Sequence, residues 1–165
     1  MNRQPQSKPQ ALVADQAPLR AKPSNYPPEV VAMLQSVLAG REKRPLGDLF
    51  GLTNFGVNLT TLAPGAASSI RHAHSMQDEF IYIVSGTPTL VTDEGRSVLS
   101  PGMCAGFKAG SGNAHQLVNE SPDPVMVLEV GDRTDGDTAT YPEADLLGRQ
   151  QGGQWLFFRK NGEAF

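Results

Sequence analysis

Three histidines and one glutamate are the residues of this chain whose types and spacing point to chemistry. The sequence has 165 residues and three His, and two of these, His72 and His74, are separated by one residue. Side chains alternate between the two faces of a strand, so both imidazoles would point the same way and lie close enough to bind one metal ion. Glu79 follows across a short polar segment, and His115 stands in a later β-prone run.

The residues after Glu79 indicate that its carboxylate points inward. Alternation puts Glu79 on the same face as Ile81 and Ile83, and an acid on an apolar face carries a heavy desolvation cost unless a cation accompanies it. Three neutral imidazoles and one carboxylate suit a divalent transition metal such as Zn, Fe, Mn, Ni or Co. The alternative is that the two paired histidines are surface residues and Glu79 is a solvated strand end. We predict a metal site; its ligands would be His72, His74, Glu79 and His115.

Short β-prone runs must position these side chains. From Leu49 onward such runs recur about every ten residues, separated by Gly, Pro, Asp and Asn, which is typical of an all-β sandwich or barrel with a closed or nearly closed antiparallel architecture. The predicted strands are residues 57–62, 70–74, 79–84, 89–92, 97–99, 104–108, 114–119, 125–130 and 154–159.

The rest of the chain divides into segments around this barrel, which we place at residues 49–131. Residues 1–25, rich in Gln, Pro and Lys, predict an N-terminal arm or tail that lies on a partner surface. Residues 26–48 predict a short amphipathic helix followed by a solvated charged connector at 41–44. Residues 132–165 predict a long loop and then a C-terminal strand that packs on the barrel or on a neighbouring subunit.

Composition narrows the classes of partner. The formal net charge is −3, from 14 Lys+Arg and 17 Asp+Glu, so no basic footprint favours nucleic acid or an anionic membrane. The single Cys, Cys104, excludes an internal disulfide, and we expect it to be a buried small hydrophobe. The sequence shows neither an apolar run of membrane-spanning length nor the apolar stretch of a signal peptide, so we expect a cytoplasmic protein that binds a small molecule.

A first motif carries a family resemblance. Gly65, the segment His72-Ala73-His74, then Glu79 after four residues and Gly86 after six more resemble the first conserved motif of the cupin superfamily. The resemblance implies a double-stranded β-helix, that is, a jelly-roll barrel, here with a short N-terminal helix and an extended arm. It also implies that His72, His74 and Glu79 are metal ligands.

A second motif resembles the other conserved cupin segment less closely. His115 and Asn119 keep the usual spacing, but Lys108 stands at the usual proline position and two extra residues precede His115. The resemblance makes His115 the fourth ligand. The flanking segments are similar to small bacterial single-domain cupins that are uncharacterised or loosely labelled sugar-phosphate isomerases.

The function that we favour from the sequence is a metal-dependent enzyme acting on a small polar metabolite, as an isomerase or epimerase of a sugar or sugar phosphate. An Fe(II)-dependent dioxygenase and a non-catalytic ligand-binding or sensing protein are the alternatives. Arg71 alternates away from His72, and we see no cluster of Lys and Arg on the inward faces. This weighs against a phosphorylated substrate unless the arm or a second subunit supplies the cations. The arm and the aromatic C-terminal strand favour a homodimer.

Overall fold

The computed structural model describes residues 8–21, 24, 26–33 and 35–165. In these residues it has twelve strands, three short helices and one 3₁₀ turn at Ala14–Gln16. The helices are α1 (Pro28–Met33), α2 (Gln35–Leu38) and α3 (Leu46–Phe50). The strands are β1 (Arg41–Arg44), β2 (Phe55–Leu62), β3 (Ala73–His74), β4 (Glu79–Ser85), β5 (Thr89–Thr92), β6 (Gly95–Val98), β7 (Cys104–Phe107), β8 (Gln116–Val118), β9 (Val125–Asp132), β10 (Thr138–Thr140), β11 (Leu147–Gln151) and β12 (Gln154–Phe158).

The strands form three antiparallel sheets that build one barrel. The largest has the order β1-β2-β9-β4-β7, and the other two have the orders β6-β5-β8 and β12-β11-β10-β3. An antiparallel bridge between His72 and His115 joins the two smaller sheets. Every predicted strand overlaps one of these elements, so the all-β prediction is confirmed.

The barrel core lies between the large sheet and strand β8. The residues that form it come from β2, β4, β8, β9, the segment after β2 and the loop before β7, and Leu62, Ile83 and Val125 have no exposed surface. Burying branched aliphatic side chains of this kind is the main favourable term that holds such sheets together. A second apolar cluster, including Val30, Tyr141 and Phe157, packs α1 and the C-terminal strands against the other end of the barrel.

The described part of the N-terminal arm packs on the barrel of its own chain. Leu12, Ala14 and Ala17 join α3 in covering the outer face of β2 and β9. The backbone N–H of Arg20 donates to the carbonyl of Lys43 at 2.8 Å, so the arm is anchored beside β1. Residues 1–7, 22, 23 and 25 of the predicted arm lie outside the described residues.

Two sequence expectations about local structure are wrong. Residues 41–44 are strand β1 rather than a solvated connector, because β2 offers a free edge that pairs with them from Arg41↔Leu62 to Arg44↔Leu59. Residues 132–153 contain strands β10 and β11 rather than loop alone. Those strands have weak local signals, and it is pairing with β3 and β12 that makes them extended.

The outer face of β4 is apolar and exposed. Phe80, Tyr82 and Val84 each leave about two fifths of their surface open to solvent. The homodimer that the sequence favours stays a prediction.

Among the described residues, no helix has the length and apolar character that crossing a bilayer requires.

Candidate metal centre

The imidazoles of His72, His74 and His115 converge on one carboxylate oxygen. The Oε2 of Glu79 lies 3.0 Å from Nε2 of His115, 3.5 Å from Nε2 of His72 and 3.6 Å from Nε2 of His74. Ligand atoms of His72, His74 and Glu79 all lie within 4.8 Å of one another. Strand alternation brings the first two histidines together as the sequence predicts, and the bridge to His72 adds His115.

Backbone pairing fixes where each ligand stands. His72 and His115 exchange two backbone hydrogen bonds, of 3.1 and 2.8 Å. Glu79 begins β4, where it pairs with Gly131 of β9 on one side and Phe107 of β7 on the other. Glu79 shares a face of β4 with the buried Ile81 and Ile83, so its side chain points into the barrel.

The Nδ1 atoms of His72 and His74, on the side of each ring away from Glu79, lie beside hydrogen-bond acceptors. Nδ1 of His72 lies 2.8 Å from the carbonyl of Ile70, and Nδ1 of His74 is hydrogen-bonded to Oδ2 of Asp137. Because a carbonyl or a carboxylate accepts only, each Nδ1 carries the proton. The Nε2 lone pairs therefore point towards Glu79, which is the tautomer that a metal-binding histidine needs.

Residues 58–131 match the sequence profile of the cupin domain. A solved cupin-superfamily structure from Silicibacter pomeroyi, described as a sugar phosphate isomerase, is 41% identical to this chain, covers 94% of it and 96% of its own length, and has a TM-score of 0.84. The chain belongs to the cupin superfamily. Its fold is thus the double-stranded β-helix that the two motifs implied.

Two other solved structures resemble this cupin. One from Acidithiobacillus ferrooxidans, described provisionally as a sugar phosphate isomerase, is 28% identical, covers 76% of this chain and 80% of its own and has a TM-score of 0.69. The polyketide cyclase RemF from Streptomyces resistomycificus is 17% identical, with coverage of 74% and 78% and a TM-score of 0.58, and shows the shared fold alone. No curated protein matches the chain.

Burial and charge oppose each other at the carboxylate. Burial raises the pKa of the Glu79 carboxyl, but the neighbouring imidazoles of His115, His72 and His74 outweigh it and hold that pKa well below its ordinary value. Burial also lowers the pKa of His115. For His72 the attraction of Glu79 outweighs burial and raises its pKa. Glu79 is therefore an anion with three imidazole nitrogens around it.

Three of the four side chains, His72, His74 and Glu79, form a group that could hold a divalent metal ion, and His115 stands beside Glu79. Oε2 of Glu79 is buried and makes no hydrogen bond to any residue that the structure describes. A buried, charged oxygen in this condition is costly unless a cation meets it. Ligand atoms around such an ion stand about 3 to 3.5 Å apart, given bonds near 2.1 Å, and the distances from Oε2 to the three nitrogens are of this size.

Aromatic rings shelter the imidazoles of this cupin. Phe107 stacks on His115 with ring centres 3.5 Å apart and planes 1° from parallel. Tyr141 stacks on His72 at 5.9 Å, and Trp155 meets His74 edge-on at 5.7 Å. Trp155 belongs to β12, so the C-terminal strand forms part of the wall of the site.

A cavity of about 630 Å³ opens beside the four residues. Glu129 lies in its wall and pairs across the sheet with Ile81, which places it on the same inward face as Glu79. Tyr26 and Tyr141 line the same space, and burial raises the pKa of both phenols. The volume is in the range of small-molecule sites.

The structure places other residues of interest from the sequence away from the four ligands. Arg71 is bound by Asp93 and Glu143 outside the cavity lining. Cys104 is exposed, so the expectation that it is a buried hydrophobe is wrong. It stands opposite Tyr82 in β7, and that face of the sheet is uncovered there among the described residues.

Five residues of the site were missed in the sequence. Asp137 lies in a segment expected to be loop, and Arg41 and Lys43 lie in the expected connector, yet Asp137 contacts His74 and the two cations line the cavity. Arg20 from the arm lines it as well. Glu129 had a readable signal, because it continues the alternation of Val125 and Val127, both of which are buried.

Proposed function

We propose that this cupin holds one divalent transition metal ion with His72, His74, Glu79 and His115. It uses that site to isomerise or epimerise a small polar metabolite of the sugar or sugar-phosphate type. The observation that carries the proposal is that three Nε2 atoms converge on one buried carboxylate oxygen, which makes no hydrogen bond to any described residue. The description of the Silicibacter pomeroyi relative as a sugar phosphate isomerase supports the reaction class.

The metal and the surrounding side chains would divide the work. A bound ion of this kind supplies Lewis acidity to a carbonyl or hydroxyl oxygen. Asp137 holds the His74 ring in place, and the rings of Phe107 and Tyr141 exclude water from two sides. The phenols of Tyr26 and Tyr141, whose pKa burial raises, stay protonated and can donate hydrogen bonds to substrate oxygens.

Isomerisation also needs a group that accepts a proton from carbon. Our candidate is Glu129, because its carboxylate lies in the cavity wall on the inward face that it shares with Glu79. It is held at Oε2 by Lys43 at 2.6 Å and by the hydroxyl of Thr60 at 2.9 Å, so it is fixed in position.

The metal part of the proposal is tested by elemental analysis of purified and reconstituted protein. We expect about one equivalent of a divalent transition metal in the native chain and less than about a tenth in the isosteric variant Glu79→Gln. Glu94→Gln, an exposed glutamate in the hairpin between β5 and β6, is the matched control and should keep the full metal content. A Glu79→Gln protein that binds metal like the native chain would overturn the proposed centre.

The catalytic part is tested by following C–H exchange. Metal-loaded protein is incubated in D₂O with a panel of aldoses, ketoses and their phosphate esters, and proton NMR reports which compound exchanges. We expect exchange to need both Glu79 and Glu129, while Glu129→Gln keeps its metal. If the Fe(II)-loaded protein instead shows substrate-dependent oxygen uptake and no exchange, the activity is that of a dioxygenase. If it shows neither exchange nor oxygen uptake, the protein binds a ligand without catalysis.

A further inference from the structure

Three cations from two separate segments line one wall of the metal cavity. Arg20 comes from the N-terminal arm, and Arg41 and Lys43 come from β1. We call Arg20, Arg41 and Lys43 the basic wall. We propose that the basic wall binds the phosphate group of a phosphate monoester whose carbon chain reaches the metal centre. This inference rests on the proposed function for the role of the metal, but the anion site itself is made by these three side chains.

Strand alternation aims two of the cations inward. In β1, Arg41 and Lys43 pair with Leu62 and Thr60 of β2, whose side chains are fully buried on the inward side of the sheet. The Nη1 of Arg41 donates to the carbonyl of Ser68, a residue of the same cavity lining, at 2.5 Å. The next residue, Ser69, places its hydroxyl 3.2 Å from Nδ1 of His72. Arg41 is thus joined to the metal side of the cavity through a short stretch of chain.

The arm brings Arg20 to the same place. Its backbone N–H donates to the carbonyl of Lys43, and this fixes Arg20 beside the strand that carries the other two cations. Burial lowers the pKa of Arg20, and the positive charge of Arg41 lowers it further while Asp48 raises it. Arg20 and Arg41 both line the cavity, so an anion held there would be attracted by two guanidinium groups.

Two carboxylates, Glu129 and Asp48, line the cavity beside the basic wall. Glu129 pairs with Lys43 at 2.6 Å, and Asp48, which also acts on Arg20, forms an ion pair with Arg133. Planar guanidinium groups bind the oxygens of phosphate in pairs and are suited to an anion that presents several acceptors at once. A phosphate monoester carries close to two negative charges at neutral pH, more than a carboxylate offers.

The position of the wall also suits a ligand that spans the cavity. Lys43 and His72 line the same cavity, so the basic wall and the metal ligands face one shared space. A cavity of about 630 Å³ has room for a compound that places phosphate on one wall and a hydroxyl or carbonyl at the other. The sequence expectation that the inward strand faces lack a cluster of cations is wrong, because Arg41 and Lys43 line the cavity. The sequence left open that the N-terminal arm could supply a cation, and Arg20 is such a residue.

Calorimetry with glycerol 3-phosphate and glycerate tests the inference, on both metal-loaded and chelator-treated protein. We expect native protein to bind glycerol 3-phosphate about tenfold or more tightly than glycerate, and Arg20→Gln and Arg41→Gln each to weaken glycerol 3-phosphate binding by about tenfold. Arg96→Gln, at an exposed arginine of β6 outside the cavity, is the matched control and should leave binding within about twofold. If Arg41→Gln does not fold, the Arg20→Gln variant alone tests the proposal. It should fold, because the hydrogen bond from residue 20 to Lys43 is made by the backbone and is kept.

Each outcome separates the anion site from the metal centre. Equal affinity in native protein and Arg20→Gln would overturn the basic wall. So would binding that is lost on chelation and unchanged in both arginine variants, since the phosphate would then sit on the metal. Equal affinity for glycerate would overturn the choice of phosphate. If elemental analysis finds no metal while the arginine variants still lose glycerol 3-phosphate, the basic wall stands and the proposed function fails.

Discussion

The carboxylate of Asp137 is fully buried behind His74 and accepts the hydrogen bond from Nδ1 of that ring. Asp137 is itself held by the backbone N–H of Met76 at 2.7 Å and by the hydroxyl of Ser75 at 3.0 Å. Burial raises its pKa, but the His74 ring and the Met76 N–H outweigh burial and lower that pKa. Asp137 is therefore an anion that orients one ligand of the candidate centre without reaching the metal position.

Replacing Asp137 by Asn should weaken metal binding without removing it. The amide can still occupy the space, but the charge that fixes the His74 tautomer is lost, and such partners are typically worth about 10- to 100-fold in metal affinity. Competition with a chromophoric chelator measures the change. Asp135→Asn, an exposed residue of the same loop, is the control, and an equal effect of both variants would contradict the orienting role.

Metal binding should raise the thermal stability of the chain. An ion at about one hundred times its dissociation constant adds about 2.7 kcal/mol to the free energy of unfolding, less any binding to the unfolded chain. For a domain of this size that corresponds to a rise of about 5 to 10 °C in the unfolding midpoint. Scanning calorimetry with and without metal measures the rise. The Glu79→Gln variant should show none, and a similar rise in that variant would mean that metal binds elsewhere.

Gly86, the last glycine of the first motif, is needed for its backbone and for space. Its φ is +78°, and a Cβ there would lie 2.7 Å from Cγ2 of Val125 and 2.9 Å from the carbonyl of Pro124. Gly65, the first glycine of the motif, has a similar φ of +81° with open space around it. We expect Gly65→Ala to cost about 1 kcal/mol and Gly86→Ala about 3 kcal/mol in urea unfolding. Equal costs would show that the turn relaxes around Gly86.

Much of the candidate site was predictable because it depends on local alternation. His72 and His74 share a face since they stand two apart in extended chain, and Glu79 follows Ile81 and Ile83 inward for the same reason. His115 was predicted only from its residue type and from the family resemblance, because its approach to His72 is a pairing between segments more than forty residues apart that no local pattern shows.

The missed parts depend on which strands pair at long range. Residues 41–44 are all charged and show no apolar alternation, so nothing local marks β1 as a strand. Once it pairs with β2, its odd members face the cavity and two of the cations become part of the site. Asp137 likewise gains its role only when β10 pairs with β3 beside His74.

The ion pair of Lys43 and Glu129 is an interior feature that stability measurements can check. The side chains are 21% and 18% exposed, and the two atoms lie 2.6 Å apart. Removing one partner leaves a sheltered charge uncompensated, so we expect Glu129→Gln and Lys43→Met each to cost about 2 kcal/mol in urea unfolding, less than for a fully buried pair. The double variant should cost less than the sum, with a coupling energy of about 1 to 2 kcal/mol.

The pair of Arg96 and Glu120 supplies the matched control for that cycle. Its side chains are 53% and 52% exposed, and solvent screens the attraction, so the same cycle with Arg96→Met and Glu120→Gln should give a much smaller coupling energy than the cycle at Lys43 and Glu129. Additive effects at Lys43 and Glu129 would mean that water reaches both groups as freely as at this surface pair. A strong coupling there and a weak one at the control would place the Glu129 carboxylate in a sheltered wall, the setting that its proposed role as a proton acceptor requires.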